Sequence, residues 1–263
     1  MPVAVTIAGS DSGGGAGIQA DIKTFAALGV YGASVITALT AQNTREITGI
    51  LDVPESFVTR QMEAVYSDLE VAATKIGMLA RKEIVATVAE SMRHFKARRV
   101  VLDPVMLSSS GTRLLSIDAV EALVKLLFPL ADLVTPNLPE AAALLGEALA
   151  TEETTMARQG ERLMQLGARA VLIKGGHGRG RESVDLLIDH SGVTRHAAAR
   201  IETRNTHGTG CTLSSAIAAF LAKGQSLNDA VRSAKLYLNG ALAAAARLKI
   251  GSGKGPLHHF HAV

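Results

Sequence analysis

Cysteine is almost absent: Cys211 is the one such residue among 263, so no internal disulfide can form and Cys-rich zinc or iron–sulfur sites are excluded. The compartment this implies is reducing, that of a cytoplasmic protein. Tryptophan is missing, and three Tyr and six Phe leave few flat rings on which exposed nucleic-acid bases could stack. Excess charge is scarce too, with 27 Lys and Arg against 24 Asp and Glu, a net of +3. The densest basic cluster, Arg93, Lys96, Arg98 and Arg99, falls where a helix should end before a strand, and the helix dipole favours cations there. It reads as a solvated helix end, and no nucleic-acid partner is expected. Nowhere does the chain offer the roughly 18 apolar residues that a membrane span requires. The apolar run from Met1 to Ala8 lacks a basic segment and breaks into Gly and Ser, so neither secretion nor a membrane partner is expected.

What the chain has instead is alternation. Short apolar runs predict strands over 3–8, 33–39, 73–76, 100–102, 133–135 and 170–173, followed by a hairpin-like pair over 183–189 and 193–197. Longer amphipathic stretches predict helices over 15–28, 54–69, 82–96, 117–127, 138–145, 152–166, 209–222 and 227–247. Strand and helix in turn, almost throughout, define an α/β fold whose mostly parallel central sheet is covered on both faces. No linker, charge block or repeat divides the chain, so a single domain over 1–263 is expected. Its strands end in Gly, Asp-Pro, Thr-Pro-Asn and Lys-Gly-Gly, and such carboxyl ends are where open α/β sheets place their ligands.

The stretch Ala8-Gly9-Ser10-Asp11-Ser12-Gly13-Gly14-Gly15-Ala16-Gly17 opens a nominal G-x-G-x-x-A over 15–20, which raises a dinucleotide-binding fold. Two details count against it. The glycines begin several residues after the expected strand, and the second strand runs into Thr40-Ala41-Gln42-Asn43 where a ribose-binding Asp or Glu belongs. A flexible loop is the plain reading; a substrate loop, with Asp21 one turn into the next helix, is preferred. A second stretch, Arg204-Asn205-Thr206-His207-Gly208-Thr209-Gly210-Cys211-Thr212, leads into an apolar helix. Glycines there let backbone N–H groups converge into an anion site, although the chain contains no G-x-x-x-x-G-K-[ST] Walker loop. Cys211 falls in the helix's first turn, where the positive dipole end is expected to lower a thiol's pKa. A buried small apolar side chain is the alternative reading of a lone cysteine.

In Thr135-Pro136-Asn137-Leu138-Pro139-Glu140, Asn137 and Glu140 share a face of a helix start. They suit either Mg²⁺ or a capping box, and local sequence does not separate the two. Lys174, ending an apolar strand before Gly175-Gly176-His177, reaches a phosphate as a point charge or else snorkels to solvent. His258, His259 and His261 read as a solvated or docked tail rather than a metal site.

The order and spacing of these motifs, together with Ala38-Leu39-Thr40-Ala41-Gln42-Asn43-Thr44, Lys75-Ile76-Gly77-Met78 and Leu102-Asp103-Pro104-Val105-Met106, resemble the ribokinase-like superfamily over nearly the full chain. Within it they resemble the hydroxymethylpyrimidine/phosphomethylpyrimidine kinases of thiamine biosynthesis. The resemblance implies a three-layer α/β/α sandwich, ATP and Mg²⁺ as cofactors, and a homodimer. It places Gly9, Asp21, Gln42, Met78 and Val105 around the pyrimidine, and Asp103, Asn137 and Glu140 around the metal. Lys174, Thr206, Thr209 and Asn137 fall to the nucleotide, and Gly208, Gly210 and Cys211 to the anion hole, with Cys211 as general base. Many superfamily members carry Asp where this chain reads Cys211, whereas the pyrimidine kinases and a set of pyridoxal kinases read Cys. A pyridoxine or pyridoxal kinase is therefore the competing enzyme. A non-catalytic vitamin- or nucleotide-binding regulator on the same fold is the competitor of another class, separated by turnover with ATP. No fused thiamine-phosphate synthase is expected in a chain of this length.

Overall fold

Alternate side chains of a strand go to opposite faces of the sheet, and here both faces are apolar. The computed structural model describes residues 1–106, 114–177 and 180–262. Its strands are β1 (Val3–Asp11), β2 (Tyr31–Gln42), β3 (Ile47–Asp52), β4 (Val71–Ile76), β5 (Val100–Leu102), β6 (Leu133–Val134), β7 (Val171–Lys174), β8 (Glu182–Asp189) and β9 (Gly192–Ala199). All nine join one sheet in the order β3-β2-β1-β4-β5-β6-β7-β8-β9. From β2 to β7 every pairing is parallel; β3, β8 and β9 add antiparallel edges.

Val5, Ile7, Ile76, Leu102, Val134 and Ile173 face one helical layer. That layer consists of α2 (Glu55–Tyr66), α3 (Lys82–His94), α4 (Ile117–Leu126), α5 (Leu138–Leu145) and α6 (Glu153–Gln165). Ala4, Ala73, Val101, Leu133 and Leu172 face the other, made by α1 (Gly17–Ala27), α7 (Thr209–Ala222) and α8 (Leu227–Ala245). The second layer packs closely because its contacts are small: Ala216, Ala218, Ala219, Ala230, Ala234 and Ala241 are all fully buried. This is the three-layer sandwich the alternation implies.

Most elements lie where the periodicity puts them, with ends shifted by a few residues. Two differences bear on function. β1 runs on to Asp11 and β2 to Gln42, so both strands carry their polar ends into the site, with a register shift between Ala8 and Ser10. The glycine run therefore follows β1 almost at once, and the spacing argument against a dinucleotide fold does not hold. The second difference is β3, which the periodicity misses. It is an exposed edge strand interrupted by Gly49 and carries no core-facing alternation to read.

β1 lies between β2 and β4, so the chain leaves it first to one side and later to the other. The carboxyl ends of these strands flank the point where an α/β sheet opens a crevice.

Candidate active site

A cavity of about 980 Å³ opens along the carboxyl ends of the parallel strands. Among its walls are Gly9, Gln42, Met78, Asp103, Val105, Asn137, Glu140, Lys174, Thr206, Gly208, Thr209, Gly210 and Cys211. Asp21 is the exception among the residues expected there. It is fully buried behind the wall, accepting from Thr6 Oγ1 at 2.6 Å and Ser215 Oγ at 2.6 Å and pairing with Lys75 Nζ at 2.8 Å. Lys75, not Asp21, lines the cavity, so Asp21 acts on it at one remove.

Sheet register sets the side of the cavity around Lys174. Lys174, the last residue of β7, bridges in parallel to Asn137, and its backbone N–H donates to Pro136 O at 2.9 Å. Its ammonium lies 2.7 Å from Asp103 Oδ1 and 3.9 Å from Glu140 Oε2. Burial alone would lower the Lys174 pKa, but the two carboxylates outweigh it and hold the ammonium charged. A Cβ on Gly210 would sit 3.3 Å from Lys174 Nζ, so the lysine faces the turn that opens α7. That turn depends on Gly208, whose φ of +83° suits glycine and whose missing Cβ would lie only 1.9 Å from Gly15 O. The start of this helix, the end that the helix dipole makes positive, faces the ammonium.

Asn137 and Glu140 do form a capping box: Glu140 N–H donates to Asn137 Oδ1 at 2.9 Å and Asn137 N–H to Glu140 Oε2 at 2.7 Å. Burial pushes the Glu140 carboxyl up to about 7, with Lys174 opposing and Asp103 adding to the rise. Capping and proximity to charge thus coexist in one residue. Cys211 departs from expectation. Its thiol is pushed up to about 11 because burial dominates, Lys75 only partly opposes it, and Asp21 and Asp103 add negative potential. The helix terminus does not make it a ready thiolate.

Elsewhere around the cavity the Asp11 carboxylate accepts from the N–H groups of Gly13 (2.8 Å), Gly15 (3.0 Å) and Ala16 (2.9 Å). These are donors that a dinucleotide pyrophosphate would use, so their commitment to Asp11 replaces the spacing argument against that fold. Gln42 stands across from this loop, within 3.2 Å of His207 and 3.0 Å of Thr40 Oγ1. At the far end of the cavity Lys235 pairs with Asp185 at 2.7 Å, and Asp185 also accepts from Gly175 N–H at 2.9 Å, tying the turn after Lys174.

Asp11, Lys75, His207, Asp185 and Lys235 escape the sequence reading. A charge inside an apolar run is the signal that exposes three of them, since buried Lys and Asp require partners: Lys75 in β4, Asp185 in β8 and Lys235 in α8. The histidine tail is docked. His259 Nε2 lies 3.1 Å from Thr212 Oγ1, and Tyr237 donates to His259 O at 2.7 Å. Burial and neighbouring cations lower the His259 pKa to about 4.

A doubly covered α/β sheet whose strand ends set a lysine against a glycine-opened helix start defines a ribokinase-like kinase. A solved pyridoxal kinase from Bacillus subtilis in complex with ADP shares the architecture: TM-score 0.91, 34% identity, 98% of this chain and 97% of that one covered. The phosphomethylpyrimidine kinase structure from Clostridium difficile matches with TM-score 0.82 and 43% identity over 92% of this chain and 100% of its own. The hydroxymethylpyrimidine/phosphomethylpyrimidine kinase of Rhizobium meliloti is 60% identical over 98% of this chain and 97% of its own. The phosphomethylpyrimidine kinase family matches residues 11–258, and the chain belongs to that family.

The raised thiol pKa has a measurable consequence. Alkylation of Cys211 by iodoacetamide should be slow at neutral pH and rise about tenfold per pH unit until it levels near 11, because only the thiolate reacts. A plateau near the ordinary thiol value of about 8.5 would show that the site activates the thiol after all.

Proposed function

We infer that the protein transfers the γ-phosphoryl group of ATP to the hydroxymethyl group of 4-amino-5-hydroxymethyl-2-methylpyrimidine, and then phosphorylates the monophosphate to the diphosphate, for thiamine biosynthesis. The observation carrying this reading is that the Lys174 ammonium faces the Gly208–Cys211 turn in the same cavity that Gly9, Gln42, Met78 and Val105 line. In-line phosphoryl transfer is accelerated chiefly by positioning and charge neutralisation, and these groups supply both. Lys174 meets the phosphates, with Thr206, Thr209 and Asn137 on the nucleotide. Backbone N–H groups of the turn meet the transferring group. Cys211 gives its own proton to solvent in the cavity and, as the thiolate, accepts the hydroxyl proton; the buried Lys75 cation favours that ionisation.

Mg²⁺ is the proposed metal. Two buried carboxylates, Asp103 and Glu140, share the Lys174 ammonium, and a hard cation relieves that imbalance of charge. Mg²⁺ is commonly held by one or two carboxylates beside substrate phosphates, so Asp103 and Glu140, with Asn137, would hold it. Once bound it neutralises charge on the phosphates. A second copy of the chain is the proposed macromolecular partner, covering the exposed Tyr31, Leu39, Ile50, Leu51 and Phe57 along β2, β3 and the start of α2. A reducing cytoplasm suits a chain whose one thiol lines its active site.

Ring recognition falls to Gln42. A primary amide pairs an acceptor with a donor, which suits a ring nitrogen beside an exocyclic amine. Pyridoxine carries a hydroxymethyl group too, and a pyridoxal kinase shares the fold over nearly the whole chain, so it is the second substrate to test. Incubation with Mg·ATP and a panel of hydroxymethylpyrimidine, its phosphate and pyridoxine, read by mass spectrometry, should give pyrimidine mono- and diphosphate as main products. Gln42→Leu should damage kcat/KM for the pyrimidine far more than for pyridoxine, where the wild-type preference is expected to exceed roughly 100-fold. Wild-type preference for pyridoxine, or equal damage to both, favours the B6 reading.

Cys211→Ala should lower kcat by about 100- to 10,000-fold with little change in substrate KM, the range for lost acid–base catalysis. Near-normal turnover returns Cys211 to a packing role. Glu140→Gln should raise the Mg²⁺ concentration giving half-maximal rate, while the lost half of the capping box costs about 0.5–2 kcal/mol of stability in denaturant unfolding. An unchanged Mg²⁺ dependence leaves Glu140 as a cap alone.

A further inference from the structure

Hydrogen-bond bookkeeping around Gln42 leads to a residue outside the ring-lining set. His207 Nε2 lies 2.9 Å from Asp11 Oδ2. Burial would raise the Asp11 pKa, yet the bonds from His207 and from the Ala16 and Gly13 N–H groups leave it lowered, so the carboxylate is ionised. An ionised carboxylate only accepts, and His207 therefore carries its proton on Nε2. The same Nε2 lies 3.2 Å from the Gln42 amide nitrogen, which sets donor against donor. On the other flank Thr40 Oγ1 lies 3.0 Å from both Gln42 Oε1 and Ser10 O, and its single proton can go to either of them. That flank is satisfied with the amide in either orientation, so His207 decides between them. One half-turn of the carboxamide removes the mismatch at His207: its oxygen shares the His207 Nε2–H with Asp11 Oδ2 as a three-centre bond, and its NH₂ donates to Thr40 Oγ1, whose proton then goes to Ser10 O.

We propose that His207, anchored by Asp11, fixes the Gln42 carboxamide in this orientation and is thereby a specificity-determining residue of the kinase. The inference rests on Gln42 reading the substrate ring. With the flanks committed, the amide keeps one lone pair and one N–H for a ligand. Their order is set, acceptor toward His207 and donor toward Thr40. A ring nitrogen with its neighbouring amine satisfies both when the amine lies on the His207 side. A freely turning amide would present either order, and part of the discrimination between ring edges would be lost. The lock is held in place. A Cβ on Gly15 would lie 2.4 Å from His207 Cδ2, so the ring rests on the glycine loop, and His207 N–H donates to Gly255 O at 3.0 Å. The backbone of Gln42 is pinned too, through Ser12 Oγ at 2.9 Å in both directions.

His207 is thus a positioning residue, and its test is a ratio. His207→Phe keeps a ring against Gly15 but has no N–H. It should cut the ratio of kcat/KM for hydroxymethylpyrimidine over pyridoxine by roughly tenfold, the scale of one misplaced hydrogen bond, with the change in pyrimidine KM. His207→Gln restores a donor and should recover most of the ratio. Equal losses on both substrates overturn the proposal by making His207 merely structural. An unchanged ratio in His207→Phe, with Gln42→Leu still collapsing it, overturns the lock while ring reading by Gln42 survives. A ratio that Gln42→Leu leaves intact overturns the ring reading and the lock with it. Should His207→Phe fail to fold, side-chain nitrogen NMR of the wild type decides: a protonated His207 Nε2 at neutral pH supports the lock, and a bare Nε2 removes its donor and overturns it.

Discussion

One ammonium between two carboxylates, at the end of a strand buried on both faces, is the interaction on which the rest of the site depends. Lys174 is carried to the cavity by β7, met by Asp103 from the end of β5 and by Glu140 from the first turn of α5. Removing one partner of such a buried set typically costs about 3–5 kcal/mol, because an uncompensated charge remains. The charges therefore hold one another in place before any ligand arrives. A second buried pair sets Lys75 in the wall beside Cys211 with Asp21 behind it, and a third, Lys235 with Asp185, ties the turn after Lys174. The candidate site is thus a row of ion pairs set into the carboxyl edge of an apolar sheet, where low polarity strengthens each of them.

The glycine-rich turns complete this arrangement from opposite sides. The Asp11 carboxylate gathers the N–H groups of the first loop, while the second loop turns at Gly208 into the start of α7 beside Lys174. The two loops touch where Gly208 meets Gly15 O and His207 meets Asp11, so the two sides of the cavity are mechanically joined.

Much of this was legible in the sequence because it is periodic or local. Strand–helix alternation gave the layers, and the Asn137–Glu140 spacing carried the capping box that the structure contains. Edge strand β3 was not legible, since an exposed strand with a glycine shows no core-facing pattern. The state of Cys211 was misread for a different reason. A helix start is a local cue, but desolvation and the nearby carboxylates of Asp21 and Asp103 come from residues far away in the chain. Asp21 was misplaced likewise: its position in α1 is readable, but its burial against Thr6, Lys75 and Ser215 is a tertiary fact.

A site built from fixed charges, whose one thiol has a raised pKa and is assigned to proton transfer, is suited to one direct displacement, with no phosphorylated protein intermediate. The stereochemical course at phosphorus tests this most directly, using ATP made chiral by oxygen isotopes at the γ-phosphate and analysing the pyrimidine monophosphate formed. The account predicts inversion, the outcome of a single in-line transfer. Net retention would mean two successive displacements through an enzyme-bound phosphoryl group, and would contradict it.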